Sequence, residues 1–433
     1  MKLPAIISKL FKRNYDAASG SPRWAPWQVM PAPVAQTHAA AHLAGSRAAF
    51  AVGSMPMGAS LAANYVDALI PDVPSVQLPN GNDTAAALWF AANLSALRTL
   101  VRSQFINGEG LARMRVDRNG QLQLQVLNPE QLDRSINRDL ANGGRVVAGV
   151  ELNAQDEVVA YHILPDAVDQ PFATIAPAQR IDAQDIIHVF EVKVPGQRRG
   201  ISELAPVLTR LSELQKLSDA MLARANTAAL FGGFVTDASG TAFGDATATP
   251  PTADLSMEPG ALRILPVGTT ISFPTMPDAG NATELMKALL HEVCAGVGMP
   301  YALITGDLTS TNYSSGKLGM EAFKRRIRAL RASLLTPIVF EPLYRRLALL
   351  RVLNGQSSSI GEASFLFPEF ASIEPLKEAN ADVILLNAGL RSRAEIVASR
   401  GRDLADLDAE IAADTFVPKA TPQASQTQEP QDA

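Results

Sequence analysis

Ser314 and Lys317 stand three residues apart, a spacing at which a lysine can take the proton of a serine hydroxyl as it attacks a carbonyl. The enzymes that use Ser-x-x-Lys in this way also carry Ser-Asp-Asn and Lys-Thr-Gly, and neither tripeptide occurs in this chain. Gly316-Lys317 shares two residues with a phosphate-binding loop. Thr311 stands where that loop needs its first glycine and Leu318 where it needs a magnesium-binding hydroxyl, so ATP hydrolysis is not expected. His291 and Cys294 lie one helical turn apart and could share a metal, but the chain has one cysteine and its other histidines, at 38, 42, 162 and 188, are distant in sequence. A core thiol beside a polar ring is therefore the expectation. No catalytic residue, metal or cofactor is assigned.

The remaining chemistry is charge. From Lys317 to Arg351 nine Lys or Arg face only Glu321 and Glu341. Arg325, Arg328 and Arg331 carry this charge, and the simplest reading of such a run is a solvated helix face. Phe323, Ile327, Leu330 and Leu334 recur at steps of four, three and four, which predicts that one face of this same helix packs. The helix is expected over 318–353 with a kink at its proline. A thirteen-residue stretch precedes it, Thr305 to Lys317, mostly Gly, Asp, Thr, Ser and Asn. Such a composition cannot form a core and marks a functional connection.

Other elements follow from pattern. The run from Thr84 to Ser103 predicts a buried helix, and LARMRVDRNGQLQLQVL predicts a hairpin around Asn119-Gly120. A second sheet is expected from VVAGVELNAQDEVVAYHIL, turning near Asn153 to Glu157, together with DIIHVFEV. Residues 201–231 predict a long helix capped by Ser202 with a stripe running from Leu204 to Leu222. Between Gly233 and Gly280 strands are expected at 234–236, 262–266 and 270–273, in an insert with five carboxylates and one arginine. A returning helix follows at 281–298. Near the end, SFLFPEF predicts a strand, 375–388 and 392–400 predict helices, and the tail after Phe416 has too little apolar content to fold.

With 433 residues the chain is long enough for two or three domains. It has no apolar run long enough to cross a membrane, and MKLPAIISKLFKR reads as a short amphipathic helix, not a cleaved signal. One cysteine excludes an intrachain disulfide and suits a reducing cytoplasm. A net charge of −5 argues against a generic nucleic-acid binder.

The order EPGALRILPVGTTISFPTMPD, short helix, GVGMPYALITGDLTSTNYSSGKLGMEAFKRR and proline-containing helix resembles the lambda-type family of bacteriophage portal proteins. RIDAQDIIHVFEVKVPGQRRGISELAPVLTRL upstream and IEPLKEANADVILLNAGLRSRAEIVASRG downstream fall in the order of that family, so the likeness spans roughly Leu127 to Ala412. It implies an α+β subunit: an N-terminal arm (1–35), a wing (36–200), a two-helix stem (201–231 and 281–298), a small β-containing clip (232–280), a tunnel loop (299–317), a long Pro-kinked helix (318–353), a helical crown (354–415) and a tail (416–433). It further implies a ring of twelve copies at one capsid vertex of the virion, assembled in the host cytoplasm. Double-stranded DNA would pass without sequence specificity, and the major capsid protein, the terminase large subunit and a head-tail adaptor would be partners; a membrane would not. On this resemblance Asp307, Thr309, Ser310, Thr311, Asn312, Tyr313 and Lys317 face DNA. Only the resemblance implies contact of Arg325, Arg328 and Arg331 with the DNA backbone or with the carboxylates of a neighbouring subunit. Arg198 and Arg199 of PGQRRG would serve subunit assembly, and Asp237, Asp254 and Glu258 would dock terminase or adaptor. The alternatives are a cytoplasmic α+β enzyme using Ser314 and Lys317, and a non-viral oligomeric scaffold.

Overall fold

Two helices start the described chain, α1 (Pro33–Ser54) and α2 (Pro56–Leu69), the second with proline in its first turn, where no N–H is needed. A computed structural model describes residues 33–79, 81–167, 176–230, 234–236, 263–265, 280–307, 313–356, 361–368, 370 and 374–414. Short strands β1 (Ser75–Leu78) and β2 (Gly81–Asn82) lead to α3 (Thr84–Ala92) and α4 (Leu94–Asn107). The single helix expected over 84–103 is thus two, bent by 62° at Asn93, whose side-chain amide donates to the carbonyl of Trp89 at 2.9 Å. Among the described residues no single helix is long and apolar enough to cross a membrane. The bent pair is apolar because it is core: Phe90, Leu97, Leu100, Val101 and Phe105 are at most 1% exposed.

The hairpin β3 (Glu109–Val116) and β4 (Leu122–Leu127) forms as its sequence predicts, with Gly120 at φ +75 and the Asp117 carboxylate accepting from the N–H groups of Asn119 and Gln121. Five more strands, β5 (Arg138–Asp139), β6 (Arg145–Val147), β7 (Val150–Leu152), β8 (Val158–Ile163) and β9 (Gln179–Asp182), form one antiparallel meander in sequence order. The turn from Asn153 to Glu157 joins β7 to β8 as expected. One strand departs from expectation. β10 (Ile186–Phe190) pairs with β3 in the first sheet and not with the meander. Apolar strands carry no label for their partner, and β3 has a free edge because β4 occupies the other. Side chains alternate across β3: Ala112 and Met114 face the large core, while Leu111 joins Leu132, Val150, Leu152 and Ile186 in a smaller core beneath the meander.

The next helix, α5, spans Leu208–Leu230, seven residues shorter at its start than expected. Pro206 disfavours helical backbone at Ala205, and the N–H of Glu203 is already bound to the carbonyl of Phe105. Ser202 is no cap to this helix; its hydroxyl accepts from Leu204 N–H within a local turn at 3.1 Å. Strands β11 (Phe234–Thr236) and β12 (Arg263–Leu265) pair parallel. The strand expected at 270–273, residues 1–32 of the N-terminal arm and the tail lie outside the described residues, while the last three residues of the arm, 33–35, already belong to α1. Helix α6 (Gly280–Val297) returns antiparallel to α5, and Arg210 near the start of one meets Glu292 near the end of the other at 2.9 Å.

After α7 (Tyr301–Thr305) comes one continuous rod: α8 (Tyr313–Leu330), a π-helical stretch Arg331–Phe340, and α9 (Glu341–Leu353). Where a proline-associated kink is expected, the spiral widens around Pro337. Proline cannot donate, and the register shifts so that Glu341 N–H reaches Thr336 five residues back. Phe323, Ile327, Leu330 and Leu334 are all buried in the large core, as their spacing predicts. Strand β13 (Ser364–Leu366) pairs with β1, tying the C-terminal part back to the segment between α2 and α3. There Phe340 meets Phe90, Phe365 and Phe367 with ring centres 5.3, 5.6 and 5.4 Å apart. Helices α10 (Pro375–Asn387), α11 (Arg393–Ser399) and α12 (Leu404–Ala413) close the described chain. Val397 is the one core residue among them, and ion pairs such as Arg391–Asp382 and Arg400–Asp382 hold these helices together.

Candidate functional site

The corner between α6 and α8 is built from two left-handed glycines. Gly298 (φ +73) ends α6: its N–H bonds to Ala295 O and that of Met299 to Cys294 O, the paired pattern that satisfies a helix C-terminus. Gly306 (φ +70) ends α7 in the same conformation, its N–H on Ala302 O. Between them Ile304 is buried against α2, where the Ser60 hydroxyl donates to Ile304 O at 2.8 Å. Asp307 is held beside this corner, with its N–H on Thr305 Oγ1 at 3.2 Å and its carboxylate 3.4 Å from the Tyr301 hydroxyl. Thr309, Ser310, Thr311 and Asn312 lie outside the described residues. Tyr313 to Lys317 do not belong to a loop as expected, for α8 begins at Tyr313. Lys317 sits on that helix, 3.9 Å from Glu374.

The basic face of α8 divides in two. Arg325 and Arg328 are exposed. Arg331, expected beside them, is buried: its Nε and Nη2 donate to Leu69 and Ala68 carbonyls at 3.1 and 2.9 Å, its Nη1 donates to Pro368 O, and it stacks over Phe367 and Phe370. Burial pushes its pKa down to about 10, so it stays charged at neutral pH. A residue that spends its guanidinium fork on three carbonyls of its own chain is a structural tie, and the contact role expected of it is withdrawn. Lys324 is likewise buried, bonded to Glu321 at 3.1 Å. His291 stacks on Tyr301 with ring centres 4.3 Å apart, and Cys294 is buried in the core with its thiol pKa raised by that burial. Among the described residues no group of three or more His, Cys, Asp or Glu could hold a metal.

PGQRRG also changes meaning. Gly196 (φ +82) turns the chain, and the Gln197 side chain accepts from the N–H groups of Lys193 and Val194 and donates to Arg199 O. Arg199 then points inward and is 0% exposed. All five of its N–H donors find partners in its own chain: Glu109 receives Nε and Nη2, Leu132 O and Ala148 O receive Nη1, and Pro129 O receives the second Nη2 proton at 3.1 Å. The subunit-assembly role expected of Arg199 is therefore corrected to an internal clamp. Arg198 is placed differently, on the surface, 2.8 Å from Asp156, with its N–H on His38 Nε2.

The carboxylate at the clamp's centre, Glu109, escaped the sequence reading. It is 1% exposed, and besides Arg199 it meets Arg134 at 3.1 Å, His188 Nε2 at 3.0 Å and the N–H of Gly200 at 3.1 Å. Burial alone would raise its pKa; the Arg199 charge and the bonds from His188 and Arg199 outweigh it and hold the carboxyl far below its usual range. Burial keeps His188 below its usual value. Because an ionised carboxylate only accepts, His188 Nε2 carries the proton. Gly108 (φ +89) and Gly200 let two segments of the chain touch at this point: a Cβ on Gly108 would collide with the backbone of Ile201, and one on Gly200 with the backbone of Gly108. The one signal in sequence was a glutamate between two glycines, leading into an apolar strand. Asp237, Asp254 and Glu258 lie outside the described residues.

The family model for phage portal proteins of the lambda family matches residues 93–331. The chain is 26% identical over 211 residues to a probable portal protein of Halomonas phage phiHAP-1, covering 45% of this chain and 39% of that one. It is 21% identical over 337 residues to portal protein B of Escherichia phage lambda, covering 69% and 63%. The chain thus spans about two fifths and just under two thirds of the lengths of these two relatives. A chain in the neck of an empty GTA particle overlays with a TM-score of 0.49 at 19% identity, over 82% of this chain and 93% of that one.

Proposed function

This chain belongs to the lambda family of phage portal proteins, and from that premise we propose that it forms a ring of twelve copies at the unique vertex of a phage capsid. DNA enters during packaging and leaves during ejection through the channel of this ring. The observation that carries the reading is the extent of the family match, which takes in the clamp, the antiparallel pair α5 and α6, and the corner leading into α8. The work is mechanical and electrostatic, with no catalytic residue in it. The Ser314–Lys317 enzyme reading has no family support.

In this ring the segment from Asp307 to Asn312 faces the duplex, flanked by Lys317 and Arg325 at the start of α8. A channel that gripped phosphates firmly would stall, since each neutralised phosphate adds a salt-dependent increment of affinity. Hydroxyls and amides of Thr309, Ser310, Thr311 and Asn312 exchange contacts with water at little net gain, and Asp307 repels the backbone. With each copy at −5, the ring is acidic overall. Arg198 and the exposed Arg325 and Arg328 are the cations placed to meet a neighbouring copy. The acidic insert with Asp237, Asp254 and Glu258 docks the terminase large subunit and then a head-tail adaptor, with an association rate that falls as salt rises. The ring resides in the virion after assembly in the host cytoplasm, seated in the major capsid protein, and needs no cofactor.

Changing Thr309, Ser310 and Thr311 together to lysine is expected to leave ring assembly intact and to slow packaging or shorten the DNA packaged. The defect should ease as salt screens the added charge. Full packaging at every salt concentration would place the segment away from the DNA path.

A further inference from the structure

We propose that Arg326 is a positioning residue that fixes the α6–α7 corner to the body of the subunit, and so sets the place from which the segment after α7 departs. The reasoning rests on the channel reading only for what that segment does. Arg326 lies on α8, yet its Nη1 donates to the carbonyl of Val297, the last residue of α6. A cation there also meets the negative end of the α6 dipole. The left-handed Gly298 is where the guanidinium lies, and a Cβ at that position would collide with it. One residue type therefore ends the helix and admits the arginine.

The other side of the same fork faces Glu203, 4.0 Å away and 6% exposed. Glu203 is the hub of a buried polar chain. Its carboxylate accepts from Lys193 Nζ at 2.8 Å and from Gln104 Nε2 at 3.3 Å, and Gln104 in turn accepts from the Tyr65 hydroxyl at 3.0 Å. The N–H of Glu203 is bound to Phe105 O. Burial works to raise the Glu203 pKa against the Lys193 and Arg326 charges. Through this chain α2, α4 and the turn before α5 share one charged group, and Arg326 adds α6 and α8 to it.

A second approach at the same level shows how close the parts lie: Gly296 of α6 touches Val207, and a Cβ there would clash with the Val207 side chain. Apolar contact alone would allow α6 to slide along this surface. A fork with one arm on a helix-end carbonyl and the other toward a buried carboxylate does not, because both acceptors have fixed places. Lysine, a single point charge, cannot span both.

The test uses the purified full-length chain with hydrogen exchange read by mass spectrometry, and packaging assays with the same variants. In Arg326→Met the amides from Cys294 to Gly306 should exchange about tenfold faster, as expected for loss of a charge-assisted bond, while those of β3, β4 and β10 stay unchanged. Arg326→Lys should fall between the two. Glu203→Gln, which keeps an acceptor for Gln104 and removes the charge facing Arg326, should loosen the same amides; it is the second readout if the methionine variant fails to fold. Packaging should slow in proportion. Unchanged exchange at 294–306, or an equal rise throughout the chain, would overturn the proposal. A selective rise with normal packaging would leave the clasp standing and remove its part in DNA movement, separating its failure from that of the portal reading.

Discussion

Replacing Arg199 with alanine lowers the free energy of unfolding by about 3–5 kcal/mol, because it leaves Glu109 as a buried charge without its main partner. The size of the effect follows from geometry: Arg199 is 0% exposed, Glu109 is 1% exposed, and the fork binds three carbonyls besides. Chemical denaturation of the two proteins at pH 7.5 measures the loss. Its pH dependence has a definite sign. In the native protein Glu109 is held below its ordinary value, so its contribution is present above the unfolded carboxyl range and is lost only as pH falls through the depressed value. Without Arg199 the cost of burial is opposed only by Arg134, His188 and the Gly200 N–H, so the carboxyl pKa rises from its depressed position and the variant takes up a proton earlier as the pH falls. The deficit relative to the native protein should therefore narrow on acidification. A deficit under 1 kcal/mol, or one that widens, would mean that the clamp is not what joins β3 to the turn before α5.

Phe340→Ala is expected to cost about 3–5 kcal/mol as well, from lost transfer free energy and the cavity left behind. Phe340 is 0% exposed at the meeting point of α3, the π-helical stretch and the strand that returns to β1. Its loss should be read as a lower denaturation midpoint, together with earlier proteolytic cutting near β13. Leu318→Ala and Leu353→Ala, at positions 76% and 71% exposed, are the controls and should change stability by less than about 0.5 kcal/mol. Equal effects at buried and exposed positions would contradict the packing described for the rod.

What could be read from the sequence was local and periodic. Phe323, Ile327, Leu330 and Leu334 announced their packing face, and Asn119-Gly120 announced its hairpin, because period and turn chemistry are properties of adjacent residues. What could not be read depends on partners far away in the chain. Arg198 and Arg199 look alike in sequence, yet one lies on the surface and the other is sealed against Glu109, ninety residues earlier. Arg325 and Arg331 belong to the same basic run, and only the arrival of Phe367, Phe370 and the end of α2 makes Arg331 a buried tie. The sheet chosen by β10 and the helix end gripped by Arg326 were hidden for the same reason. The proline at 337 was visible, but the local form of the spiral around it was not, because the missing N–H does not say how its neighbours re-register.

A closed ring with a central hole is tested most directly by the mass and image of the purified chain. Native mass spectrometry combined with negative-stain microscopy should find closed rings with a central channel at about twelve times the chain mass of 46.1 kDa. Monomers or open chains without a central hole, at every concentration and salt tried, would contradict it.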